Sequence, residues 1–201
     1  MSRFLVRQQE KLSQALGQHN IPGLRWLLEG FNFYDRERVK EVGPDRAAAE
    51  WIVRCGGAVK FDRIDDTFSD YNALIKRCAE LDPRRPTDDV RLVSILATDA
   101  SVTGYGCRHF AGLKGIEDVR FVRCKSLHDF GLETMAKEVG NQLKTLEIDS
   151  CPRITEFGLA HLKGCRALRS LSLQNLKHVH GKEKALQELR SALPDADIKF
   201  P

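Results

Sequence analysis

Two stretches of this chain keep one spacing of apolar side chains. They read IEDVRFVRCKSLHDFGLETM (116–135) and LKTLEIDSCPRITEFGLAHL (143–162). Ile116, Val119, Phe121, Cys124, Leu127, Gly131 and Leu132 of the first stand where the second has Leu143, Leu146, Ile148, Cys151, Ile154, Gly158 and Leu159. A third copy begins at Leu168, with Leu171, Leu173, Leu176 and Val179 in step, and a degraded first copy offers Leu96, Asp99, Val102, Gly106 and Phe110. The starts fall near 91, 116, 143 and 168, giving periods of 25, 27 and 25. A period in this range restricts the fold more than any other feature of the chain, because each copy must be one supersecondary unit.

The spacing within a copy says which unit. Alternation such as Leu146-x-Ile148 buries one face of a short strand, and the change to Gly158-Leu159 with Leu162 buries the stripe of a helix returning over it. One copy alone cannot bury its apolar face, so neighbours must stack into a shared core. L-x-x-L-x-L-x-x-C is the head of a Cys-type leucine-rich repeat. The expected fold is therefore α/β: a short leucine-rich-repeat solenoid with parallel strands on one side and helices on the other. Cys124 and Cys151 then stack beyond the strand ends, where a small apolar side chain with a weak donor fits a tight corner. Asp99 and Leu176 are expected to replace them in the first and last copies.

The chain before the repeats reads as a helical cap. Residues 24–29 (LRWLLE) and 35–54 are helical in pattern, with a break at Gly43-Pro44 and a new helix beginning near Pro44. Ala47, Ala48, Trp51, Ile52 and Cys55 form its buried stripe, Gly56-Gly57 stop it, and Ala58-Val59-Lys60-Phe61 resumes as a strand. Residues 62–90, rich in Asp and holding Pro83 and Pro86, read as an irregular first segment or surface loop. The domain reading is 1–57 for the N-terminal region and 58–201 for the repeats. Arg3, Arg7 and Lys11, with Phe4, Leu5, Leu12 and Leu16 at roughly helical spacing, make the start resemble a transit peptide as much as a plain helix.

Charge and chemistry narrow the function. The net charge is +4; residues 1–90 hold 15 basic and 15 acidic side chains, and 91–201 hold 17 and 13. So slight an excess reads as a solvated mixed-sign face and gives no nucleic-acid footprint. No run of about 18 apolar residues exists that could span a bilayer. Cysteines 55, 78, 107, 124, 151 and 165 include no Cys-x-x-Cys pair and are expected to be reduced thiols. His109, His128 and His161 are expected at surface or half-buried positions, since neither Cys107/His109 nor His161/Cys165 has two further ligands at zinc spacing. There is no phosphate-cradling glycine loop, no nucleophile elbow and no paired acid and base, so a binding or scaffolding role is expected, with no small-molecule substrate.

Specific blocks add a resemblance. FNFYDRERVKEVGPDRAAAEWIVRCGG (31–57), ATDASVTGYG (97–106), SCPRITEFGL (150–159) and the ending LPDADIKF resemble the mitochondrial ATP synthase subunit s (coupling factor B) family. The GGAVKF and CPRI segments are shared with its paralogue, the assembly protein of the complex I distal membrane arm. The resemblance implies a non-enzymatic matrix-side protein, peripheral to the inner membrane, that associates with the ATP synthase and supports proton-coupled ATP synthesis. The alternative it implies is an assembly factor whose partners are respiratory-chain subunits. It also implies a magnesium ion held by backbone carbonyls of Gly56 and Thr98, hard oxygen donors of the kind magnesium takes. The family's coupling activity is tied to two thiols two residues apart; here Val122 stands at the first and only Cys124 remains, so a dithiol mechanism is not expected.

The leading expectation is an adaptor whose outward strand and corner residues meet an acidic partner or anionic lipid. Arg120, Arg123, Lys125, Lys144 and Arg169 are the candidate contacts, with Arg120 and Lys144 alternating against buried residues and expected to face outward. A ubiquitin-ligase receptor, the common setting of Cys-type repeats, would need an F-box before them, and LRWLLEG and GPDRAA do not provide one.

Overall fold

The computed structural model describes residues 25–81 and 89–201. The basic start with its transit-peptide resemblance, and Pro83 and Pro86, lie outside the described residues. In chain order the elements are α1 (Arg25–Phe31), α2 (Arg36–Val42), α3 (Pro44–Arg54), β1 (Ala58–Phe61), β2 (Ile64–Phe68), α4 (Tyr71–Ala79) and β3 (Leu92–Thr98). A 3-10 turn (Gly106–Phe110), β4 (Asp118–Val122), α5 (Asp129–Val139), β5 (Thr145–Asp149), α6 (Glu156–His161), β6 (Ser170–Gln174), α7 (Lys182–Ala192) and β7 (Asp197–Lys199) follow. All seven strands join one sheet in the order β2-β1-β3-β4-β5-β6-β7. From β3 onward each strand pairs in parallel with the next, while β1 runs antiparallel to both β2 and β3. The architecture is mixed α/β with a mostly parallel sheet.

The repeat spacing becomes two rows of stacked side chains. Ile95, Val119, Leu146, Leu171 and Ile198 occupy one register position, and Ala97, Phe121, Ile148 and Leu173 the next inward one. All are buried. Leu132, Met135 and Val139 from α5, Leu159 from α6 and Leu189 from α7 close over them. Each such aliphatic side chain contributes about 1.5–3 kcal/mol once removed from water. Glycine lets the returning segments approach: a Cβ at Gly131 would lie 3.1 Å from both Cys107 Sγ and Gly104 Cα. A Cβ at Gly158 would meet Asp129.

The first copy departs from the sequence expectation by one residue. Ile95 and Ala97, not Leu96, face the core, and Asp99 matches Arg123 while Ala100 matches Cys124. The cause is β1: pairing Val59 with Ile95 and Ala58 with Leu96 holds β3 from its other edge, and Leu96 is left half-buried on the outward face. The corner position therefore takes Cys, Cys and Ala, with Cys124 Sγ reaching Ala97 O at 3.1 Å.

The helical segment forms as its punctuation indicates. Asp35 caps α2 by accepting from the N–H groups of Glu37 and Arg38, and Gly43 at φ +82° turns the chain into Pro44, the first residue of α3. Ala47, Ala48, Trp51, Ile52 and Cys55 are buried as the stripe requires. Buried Glu50 on α3 is clamped by Arg38 at 2.7 and 2.9 Å and by Arg46 at 3.0 Å, which matches its charge at a site where an unpaired carboxylate would be costly. Residues 62–81 are no loop: β2 returns on β1 as a hairpin, and α4, capped by Asp70, buries Leu74 and Cys78.

Candidate functional site

The outward face of the sheet is polar by construction, since each buried strand residue alternates with one turned away from the core. Ser94, Leu96 and Thr98 on β3, Asp118, Arg120 and Val122 on β4, Thr145, Glu147 and Asp149 on β5, and Ser170, Ser172 and Gln174 on β6 line it. Neighbouring rungs are tied across this face: Ser94 Oγ donates to Asp118 at 2.8 Å, and Asn175 Nδ2 donates to Asp149 at 2.8 Å.

The five basic residues expected to contact a partner are all exposed, but they do not converge. Arg120 alone lies within a strand. Arg123 and Lys125 follow the end of β4, whereas Lys144 and Arg169 precede β5 and β6, at the opposite ends of the strands. Carboxylates already face Arg120, Arg123, Lys144 and Arg169. Arg120 contacts Asp118 at 3.3 Å, Lys144 contacts Glu117 at 2.6 Å, and Arg169 lies 3.7 Å from Asp195. Arg123 grips Asp99 with two bonds of 2.8 and 2.6 Å, holding that carboxyl below its ordinary range.

Gly56 lies two residues before β1 and Thr98 ends β3, the strand that pairs with it. The strand pairing of the two segments runs from Ala58 with Leu96 to Phe61 with Leu92. Ser101 N–H donates to Cys55 O at 2.9 Å and ties the same corner. Gly56 takes φ +87°, a conformation open to glycine at little cost. The pair could offer carbonyl oxygens, the hard neutral donors that suit magnesium, with water completing the shell. Among the described residues, no three His, Cys, Asp or Glu side chains gather as a metal site.

The thiols and imidazoles serve packing. All six cysteines are buried and free; burial pushes the Cys55 and Cys165 thiols up to about 12, and Cys124 is pushed well up by its hydrogen bond with Cys151 and by burial. Val122 is half-buried on the outward face. His109 is not at the surface as expected but fully enclosed, stacked on Trp51 at 4.9 Å. One further set escaped the sequence reading: Tyr105, Phe130 and Phe157 each begin a returning segment, and Tyr105 and Phe157 are exposed. The signal was present, since Phe130 and Phe157 hold the same place before a Gly-Leu pair.

A sheet of stacked strand–helix units with a polar, cross-braced outward face defines a mixed α/β protein with a mostly parallel sheet. The chain belongs to the ATP synthase subunit s family. It is 34% identical over 200 residues to the mitochondrial ATP synthase subunit s of Bos taurus, covering 94% of this chain and 96% of that protein. Against the Homo sapiens protein of the same name it is 36% identical over 178 residues, 87% of this chain and 84% of the relative. It also resembles distal membrane arm assembly component 2 of Drosophila melanogaster, at 29% identity over 165 residues, 81% of this chain and 55% of that protein. No protein-family model matches the sequence.

Proposed function

We propose that this chain is a non-enzymatic accessory protein of the mitochondrial ATP synthase, peripheral to the inner membrane on its matrix side, that supports proton-coupled ATP synthesis. The observation that carries the reading is the 34% identity to a mitochondrial ATP synthase subunit s across 94% of the chain. The parallel rungs β3–β7 are a short leucine-rich-repeat solenoid, and α1–α3 are the cap over its first unit. No helix among the described residues is long and apolar enough to cross a membrane, in keeping with peripheral attachment.

The partner meets the outward strand face at Arg120 and reaches its borders at Arg123 and Lys125 beyond the end of β4 and at Lys144 and Arg169 before β5 and β6. Exposed ion pairs such as Lys144–Glu117 are each worth only about 0–1 kcal/mol, so an acidic partner can take over the cation at little cost. Affinity purification of the tagged chain from mitochondria should recover synthase subunits, and Arg120→Glu with Lys144→Glu should reduce that recovery in a salt-sensitive way. Recovery of respiratory-chain subunits in their place would favour the assembly role that the Drosophila relative's name indicates.

Magnesium, held by the Gly56 and Thr98 carbonyls, would join the end of the cap to the end of β3. Adding magnesium to the chelator-treated chain should then raise its melting temperature, as any ligand specific to the folded state does. An unchanged melting temperature would remove the ion from the account.

A further inference from the structure

The corner edge, where the strands end and the returning segments begin, carries a second surface that the strand-face reading does not use. Because β3 to β6 lie in parallel register, their ends share one side of the molecule. Tyr105, Phe130 and Phe157 start three successive returns there, and the Tyr105 and Phe130 rings are 5.5 Å apart. Phe157 is 73% exposed and Tyr105 49% exposed. α1 is pinned to the same corner: Asn32 Nδ2 donates to Ser101 O at 2.9 Å, and Thr103 Oγ1 donates to Glu29 at 3.1 Å. It adds Trp26 at 69% and Phe33 at 65% exposure. Apolar side chains this large and turned to water mark an interaction surface.

Exposed charges of both signs flank these side chains: Asp35 and Glu37 follow Phe33, and Glu183 lies in the first turn of α7. Cations project among them: Arg108, Arg153 and Lys177 are exposed in the segments after β3, β5 and β6, Arg108 lying 5.7 Å over the Tyr105 ring. The corner carboxylates are engaged within the fold. Asp99 is held by Arg123, Asp129 accepts from Thr155 N–H and Oγ, Asp149 accepts from Asn175 and Ser150, and Glu156 accepts from the N–H of His180.

We infer that this edge docks on an anionic phospholipid surface, with Tyr105, Phe157, Trp26 and Phe33 entering the headgroup layer. Aromatic rings settle at the water–hydrocarbon boundary, and each Lys or Arg near an anionic leaflet contributes about 1 kcal/mol. An acidic lipid surface supplies the negative charge that the projecting cations meet and the apolar layer that the rings enter. The inference deepens the membrane-peripheral part of the function proposed above and names its lipid-facing residues, but vesicle binding requires no synthase.

The test uses the full chain with phosphatidylcholine vesicles, with and without phosphatidylglycerol. Trp26 is exposed and Trp51 fully buried, so emission that shifts to the blue reports Trp26. Binding only to the phosphatidylglycerol vesicles, with a blue shift and with loss of binding at high salt, is the expected result. Tyr105→Ser with Phe157→Ser, both surface changes whose folding is checked by circular dichroism, should lower vesicle affinity about tenfold or more. Lys137→Ala, in the last turn of α5 away from the corners, should leave it unchanged. No sedimentation with anionic vesicles, or equal binding by the double variant, overturns the inference. If vesicles are ignored while the double variant loses synthase subunits in pull-downs, the edge is a protein interface and the lipid assignment fails, with the synthase reading intact.

Discussion

His109 shows how far one residue's behaviour depends on distant chain. Its ring lies flat on Trp51 at 4.9 Å and edge-on to Tyr34 at 5.0 Å, and Nδ1 donates to Gly106 O at 2.9 Å. Burial lowers its pKa from 6.5 to about 4. Between these two values the unfolded chain binds a proton that the folded one does not, so stability falls as pH drops from about 6.5 towards 4. At pH 5 the loss amounts to about 2 kcal/mol. Urea unfolding at pH 7.5 and pH 5 should show that much more acid sensitivity in the native chain than in His109→Phe; equal sensitivity would mean that the imidazole is hydrated. None of this was legible locally. The spacing of Cys107 and His109 looks like a surface corner, and only the docking of α3 brings Trp51 over the ring. The buried stripe Ala47, Ala48, Trp51, Ile52 and Cys55 was legible, because helical periodicity alone sets it.

Among the elements, the corners after β3, β4, β5 and β6 repeat a backbone state that no residue type announced. Asp99, Arg123, Ser150 and Asn175 all sit at φ between +52° and +54°. A side chain there costs about 1–2 kcal/mol relative to glycine, and a branched one more. Ser150→Gly should therefore raise stability by about 0.5 kcal/mol after the entropy cost of glycine, and Ser150→Val should lower it by about 2 kcal/mol. Denaturant midpoints of the two variants check the sign; undiminished stability in Ser150→Val would place the corner outside the left-handed region. Strands β4 to β6 were readable because strict alternation of apolar residues specifies both the element and its face. β3 was found but read one residue late, since Leu96 offers a leucine at the wrong register and only pairing with β1 decides between the two. β2 went unread because three polar residues separate Ile64 from Phe68. β7 went unread because it is short, and the match between Ile198 and Leu171 emerges only in the sheet. At the candidate site Gly56 and Thr98 came only from the family resemblance, and the sequence could not show that Arg123 and Lys144 lie at opposite strand ends.

For the molecule as a whole, the consequence of stacking is that a rung's stability depends on having a neighbour on each side. Leu146 is flanked by Val119 and Leu171 in the sheet and is wholly buried. Ile198 has Leu171 on one side and solvent beyond, and retains 7% exposure. Removing the Leu146 side chain leaves a cavity that neighbours on both sides keep from collapsing, so Leu146→Ala should cost about 3 kcal/mol. Ile198→Ala sits at the open end, where the chain can close on the smaller side chain, and should cost about 1–2 kcal/mol. The same asymmetry governs opening. One contiguous core runs from Ala48 to Ile198, which couples the interior rungs into a single unfolding transition, whereas β7 can detach by losing one interface. Hydrogen exchange should therefore find the β5 amides protected to the level of global unfolding and the β7 amides opening at lower free energy, and Ile198→Ala should widen that gap without changing β5. If Ile198→Ala lowered β5 protection as much as its own, the last strand would be integral to the core and the nearest-neighbour account of this sheet would be wrong.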